Sequence, residues 1–178
     1  MKKNVLIFGL ISGLIVTAMM VISTAMCYSS EKFEGSEVVG YTSMVLAFSM
    51  IFVGIKNYRD KYNNGVVSFG KAFKIGALIT LVAGTMYVVV WLVEYYVFIP
   101  DFMDKYCNHV INNARAEGPG EVARVTKQMN TMKDLYKNPL FVVLMTYAEI
   151  VPVGLIVTVI CALILKRKPQ QPAVAVAN

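Results

Sequence analysis

Glu149 stands inside an otherwise uncharged apolar run, Pro139 to Leu165, with Pro152 three residues after it. An acid at the centre of a membrane helix costs several kcal/mol on insertion scales, about 3 for the translocon scale. It is expected to face an interior and to be neutral or paired there. Proline has no N–H and clashes one turn back, so Pro152 frees the carbonyl of Ala148 and is expected to kink the helix. A carboxyl beside an under-bonded backbone suits a proton or cation site. Three readings stay open: a protonated acid bonding a neighbouring helix, a transport or gating site, and a contact for a partner. Glu94 is the second acid at the edge of an apolar run. Tyr87, Trp91, Glu94 and Tyr95 follow i, i+4, i+7 and i+8 spacing, which puts them on one side of a helix. Glu94 and Glu149 are placed to share an outer vestibule, and snorkelling to the interface is the alternative for Glu94.

Other reactive types are sparse. Three cysteines make no framework, but Cys27 and Cys107 would lie on the same side and could pair. Cys161 falls inside an apolar run as a small core residue. His109 is the only histidine, too few for the usual zinc or haem ligand sets. No CxxC, HExxH, GxSxG, Walker A or GxGxxG string occurs. No cofactor, metal or catalytic residue is expected, and enzyme is the least supported class.

The elements that must hold these residues follow from composition. The 178 residues are 57% hydrophobic and 16% charged. Average soluble domains run about 45–50% and about 25%. The apolar residues fall in four blocks, with spans expected at about 4–28, 38–58, 69–98 and 139–165. A bilayer core takes about 20 apolar residues as a helix. Lipid leaves no backbone group unpaired, so these blocks are helices. The first is longer than the roughly 7–15 apolar residues of a signal peptide and is expected to stay as a span. The fold class is all-α: an integral membrane four-helix bundle forming one domain over 1–168.

Lysine and arginine set the orientation. One side carries Lys2, Lys3, Lys56, Arg59, Lys61, Lys71, Lys74, Lys166, Arg167 and Lys168, ten bases against Asp60. The other side carries seven bases and nine acids. The basic side is expected to be cytoplasmic, with both termini there, in a bacterial inner membrane. The net charge of +6 is then a topology signal, and no nucleic-acid partner is expected. Tyr28, Tyr41, Trp91, Tyr95, Tyr96 and Phe98 form an expected outer aromatic belt. Glu31, Glu34 and Glu37 mark a solvated outer turn.

Between spans three and four, Glu117-Gly118-Pro119-Gly120-Glu121 breaks the segment 101–137. Phe102, Tyr106, Val110 and Ala114 precede the break at four-residue spacing. Val122, Val125, Met129, Met132 and Tyr136 follow it at 3-4-3-4 spacing. Each half reads as an amphipathic helix, and together they predict an extracytoplasmic helical hairpin over the bundle mouth. The tail 169–178 reads as disordered. Small residues mark close helix contacts in lipid: Gly9 and Gly13 in span one; Ala72, Gly76, Thr80 and Gly84 in span three; Gly154, Thr158 and Ala162 in span four. Such ridges serve either the bundle itself or a homo-oligomer.

Several strings carry a family resemblance. They are Gly40-Tyr41-x-x-Met44-x-x-Ala47-Phe48, Gly54-Ile55-x-x-Tyr58-Arg59-Asp60 and Phe69-Gly70-x-Ala72-Phe73-Lys74-x-Gly76. Pro100-Asp101-Phe102, Asn138-Pro139 and Met145-Thr146-Tyr147-Ala148-Glu149-x-x-Pro152-Val153-Gly154-Leu155 follow in order. The chain resembles the domain-of-unknown-function family 4199, small bacterial inner-membrane proteins, over nearly its whole length to about Lys166. The resemblance implies a four-helix membrane protein and transfers no activity. The functional expectation is a non-enzymatic multi-pass protein acting by helix packing with itself or a membrane partner. The alternative is a small proton-coupled transporter or ion-permeation protein using Glu149.

Overall fold

A computed structural model describes residues 1–29 and 37–168. The expected acidic turn at Glu31 and Glu34 and the tail 169–178 lie outside the described residues. The described chain is helical: α1 (Lys2–Ser29), α2 (Glu37–Asn57), α3 (Phe69–Val93), α4 (Phe102–Ala114), α5 (Pro119–Tyr136) and α6 (Pro139–Leu165). Single π-turns at Tyr58–Tyr62 and Glu94–Phe98 extend α2 and α3. Four of these helices are long and apolar enough to cross a membrane: Lys2–Tyr28, Val38–Tyr62, Phe69–Phe98 and Pro139–Leu165.

Local chemistry sets the helix starts. The Ser68 side chain accepts from the Lys71 N–H at the start of α3, and Asn138 accepts from the Leu140 N–H at the start of α6. Both satisfy amides that the first turn leaves unpaired. Pro119 and Pro139 open α5 and α6, where a missing N–H costs nothing. Helix α6 runs through Pro152 without interruption.

The four long helices form a ring in which α3 packs on α1 and α6, and α2 packs on α1 and α6. Fully buried Phe48, Ile51 and Ile55 of α2 meet Ile75 and Ile79 of α3 and Ile150 of α6. Outward rows stay apolar, as in Leu6, Leu14, Val89, Leu144, Ile156 and Ile164. A soluble protein rarely exposes such a surface; a lipid-solvated one does.

The small residues sit where helices meet. A methyl at Gly9 would reach Val82 Cβ at 2.7 Å, and one at Gly13 would reach the Ala83 Cα at 3.3 Å, so α1 lies directly on α3. Gly76 faces Thr158, and Gly154 faces Thr80. Helices α3 and α6 thus exchange a glycine for a threonine twice across an antiparallel contact. Ala72 and Gly84 are buried on the same helix. Buried polar groups tie α1 to α2: Asn4 Nδ2 donates to the Gly54 carbonyl (2.8 Å), and Ser12 Oγ donates to the Ala47 carbonyl (2.9 Å).

One end of the ring gathers the basic residues. Asn57 Nδ2 donates to Asn4 Oδ1, which joins the start of α1 to the end of α2. Val67 and Arg167 exchange backbone hydrogen bonds of 3.1 and 2.8 Å, which joins the start of α3 to the end of α6. Lys56, Lys61, Lys71, Lys74, Lys166, Arg167 and Lys168 are exposed there. Arg59 pairs with Asp60 at 2.6 Å.

At the other end α4 and α5 run antiparallel. Lys133 pairs with Asp104, and the Cys107 thiol approaches the Met129 carbonyl at 3.7 Å. The buried stripe of α4 is Met103, Cys107 and Ala114, while Tyr106 is exposed. Four-residue spacing drifts round a helix of 3.6 residues per turn, so the stripe read at Phe102, Tyr106, Val110 and Ala114 sits slightly off the real face. Two of the expected belt aromatics turn inward instead. Trp91 meets Phe102 edge-on at 5.3 Å, and buried Tyr95 meets Tyr136 at 6.1 Å, clamping α4 and α5 to the end of α3. Tyr41, Tyr96 and Phe98 remain exposed.

Candidate functional site

A cavity of about 390 Å³ lies inside the end of the ring that α4 and α5 cover. Helix α1 contributes Met20 and Thr24, α2 contributes Ser43, and α6 contributes Thr146 and Glu149. Rings make up much of the remainder: Tyr87 and Trp91 from α3, Phe102 and Tyr106 from α4, Tyr136 from α5. Glu149 is exposed and, among the described residues, is the only charged one lining this space. Among the described residues it makes no hydrogen bond or ion pair. Two wall hydroxyls are already committed: Ser43 donates to the Val39 carbonyl (2.7 Å) and Thr146 to the Val142 carbonyl (2.7 Å). The Tyr136 phenol lies in the electrostatic field of Glu149. Burial first, and that carboxyl second, push its ionisation above the usual range. It therefore faces the cavity as a neutral hydroxyl. Sequence reasoning missed Ser43, Thr24 and Tyr136, because each sits in an unremarkable apolar or amphipathic run.

Glu94 does not open into this cavity. It lines a second one between α1 and α3, beside Val90 and Phe98. The expectation of a shared vestibule is therefore corrected to two adjacent cavities. The π-turn begins at Glu94, which itself keeps the α-helical register with Tyr87. Tyr87 lies within electrostatic range of both carboxyls, and Thr24 lines both spaces.

The pairing of Cys27 and Cys107 is also corrected. No disulfide joins them, because the Cys107 thiol points into the α4–α5 seam toward Met129 rather than at α1. Burial raises its ionisation, which leaves a poorly reactive thiol. Helix α1 meets α4 through a different contact. Tyr28 donates to Asp101, and Lys105 sits 3.6 Å over the Tyr28 ring. The Tyr28 hydroxyl, followed by Lys105, holds the Asp101 carboxyl below the usual aspartate range. Among the described residues no group of three or more His, Cys, Asp or Glu could hold a metal ion. His109 lies against Asn113 on α4.

The family model for DUF4199, proteins of unknown function, matches residues 7–167. The chain belongs to DUF4199. No curated protein and no solved structure matches it. The DUF4199 match runs from the first turns of α1 to the Val67–Arg167 bridge, so both cavities and the α4–α5 pair lie within the family's extent.

Proposed function

We propose that this DUF4199 chain is a non-enzymatic transporter of the bacterial inner membrane that exchanges a small organic cation for a proton at Glu149. The observation that carries the reading is one accessible carboxyl in a ring-lined cavity. Aromatic faces attract organic cations, and an intramembrane acid facing a cavity is a functional residue by default. The exchange balances: the carboxylate holds one cation, and one proton taken up by the same carboxyl releases it. Packing through the small-residue ridges to a second copy is less favoured. Those ridges are occupied inside the chain, as with Gly9 on Val82 and Gly76 on Thr158. In liposomes holding a pH dye, benzyltrimethylammonium should drive proton movement with wild type and none with Glu149→Gln. Equal rates for the two would sink the reading.

The proposed topology puts both termini in the cytoplasm and the α4–α5 hairpin outside. Its support is the gathering of ten basic residues at one end of the ring. With Cys27 replaced by serine, an impermeant thiol reagent on intact cells should label Asn112→Cys, exposed on α4, and leave Lys168→Cys unlabelled until lysis. The reverse pattern would invert the assignment.

A further inference from the structure

Glu94 is 8% exposed, and its Oε2 has no hydrogen-bond partner among the described residues. A buried polar atom left unpaired is costly and rare. The oxygen belongs to a residue lining the α1–α3 cavity, about 390 Å³ in volume. The other walls are apolar or weakly polar: Val21, Thr24, Tyr28, Val90, Val93 and Phe98 among them. No basic residue lines the space, so neither the missing donor nor a counter-charge comes from the cavity's own walls. Lys105, at the same end, is held over Tyr28 and paired with Asp101 at 3.2 Å. Glu94 also opens the π-turn to Phe98, a distortion that recurs at functional sites. The rim residues Val21, Val93 and Phe98 are exposed, so the cavity opens sideways through apolar surface.

We propose that this cavity binds an amphiphile whose head is an N–H-bearing ammonium. The head donates to the Glu94 carboxyl, which turns its buried Oε2 toward the cavity, and the tail leaves past Val21, Val93 and Phe98. The unpaired oxygen needs a hydrogen donor, which a quaternary ammonium lacks. The apolar exit needs a hydrocarbon chain, which a small soluble cation lacks. An ethanolamine phospholipid and a long-chain alkylamine both carry this chemistry. The site is separate from the Glu149 cavity and stands whether or not transport occurs there.

Native mass spectrometry of the full chain in detergent tests this with two matched pairs. One pair is phosphatidylethanolamine and phosphatidylcholine with the same acyl chains; the other is dodecylamine and dodecyltrimethylammonium. The N–H-bearing member should bind about tenfold more tightly, a difference of one decade in Kd, in at least one pair. Preference in the lipid pair alone identifies a bilayer lipid as the source, and preference in the amine pair admits a soluble amine. Glu94→Leu, which removes the acceptor, should erase the preference, while Glu149→Gln should keep it. Val93→Trp, which crowds the rim and leaves Glu94 intact, should lower binding of both members. No preference in either pair, a preference surviving in Glu94→Leu, or unchanged binding in Val93→Trp overturns the proposal.

Discussion

Gly154→Ala should destabilise the protein by about 2 kcal/mol, the middle of the range for forcing a methyl into a packed core. The added Cβ would lie 2.8 Å from Thr80 Oγ1 and 2.9 Å from Phe48 Cζ. Neither neighbour has room to retreat. Phe48 is fully buried, and Thr80 is β-branched, hence stiff at χ1, and sits 3.4 Å from Thr158 Oγ1. Thr80→Ala alone gives up that contact, typically worth about 0.6 kcal/mol between membrane helices, plus a small cavity. The double variant should nevertheless melt above Gly154→Ala, because removing the threonine branch clears part of the space the new methyl needs. Contacting residues couple by about 0.5–3 kcal/mol, and here the sign should be favourable. Gly84→Ala is the control on the same helix pair. Its nearest neighbour would be 3.5 Å away, an ordinary contact, so removing a helical glycine should be neutral or stabilise by about 0.5 kcal/mol. Thermal unfolding in one detergent reads all four proteins. Strict additivity of Gly154→Ala and Thr80→Ala would mean that the α3–α6 contact is not the constraint.

The long helices were legible because lipid is an exacting solvent. An uncharged run such as Asn4 to Ser30 has few other ways to satisfy its backbone, and Pro119, Pro139 and Ser68 punctuate the chain by chemistry local to a few residues. The ring order was not legible. Gly9, Gly76 and Gly154 announce close approach, but a four-residue stripe carries no name for the helix it meets. Only the three-dimensional pairing of Gly154 with Thr80 and of Gly76 with Thr158 does so. Glu149 stood out because a charge in an apolar run is conspicuous. Its surroundings did not, since Ser43, Thr24 and Tyr136 come from three different helices and look ordinary in each. Glu94 was found for the same reason as Glu149, but helix periodicity does not say which neighbours wall the space a residue enters. Glu94 keeps the α-helical register with Tyr87, its N–H reaching the Val90 carbonyl, and lines the gap between α1 and α3.

Glu149→Leu should raise the melting temperature by a few degrees while abolishing cation-driven proton movement. The two effects have one cause. A carboxyl at mid-helix opposes insertion by about 3 kcal/mol on the translocon scale, and leucine favours it. A carboxyl that fastened two helices would repay part of that cost, and its removal would leave a partner unsatisfied and lower stability. Among the described residues Glu149 makes no hydrogen bond or ion pair, so no helix–helix bond is lost. Its accessible side chain lines a cavity, where leucine adds apolar surface against Tyr87 and Trp91 without the clash met at Gly154. The Ala148 carbonyl freed by Pro152 is unaffected, because the backbone does not change. Stability given up at one residue is the usual signature of a group kept for activity. Glu149→Gln separates charge from shape, since it retains polarity and size and should melt near wild type while remaining inactive. A melting temperature that falls in Glu149→Leu would identify the carboxyl as a helix fastener and remove the reason to place transport at this residue.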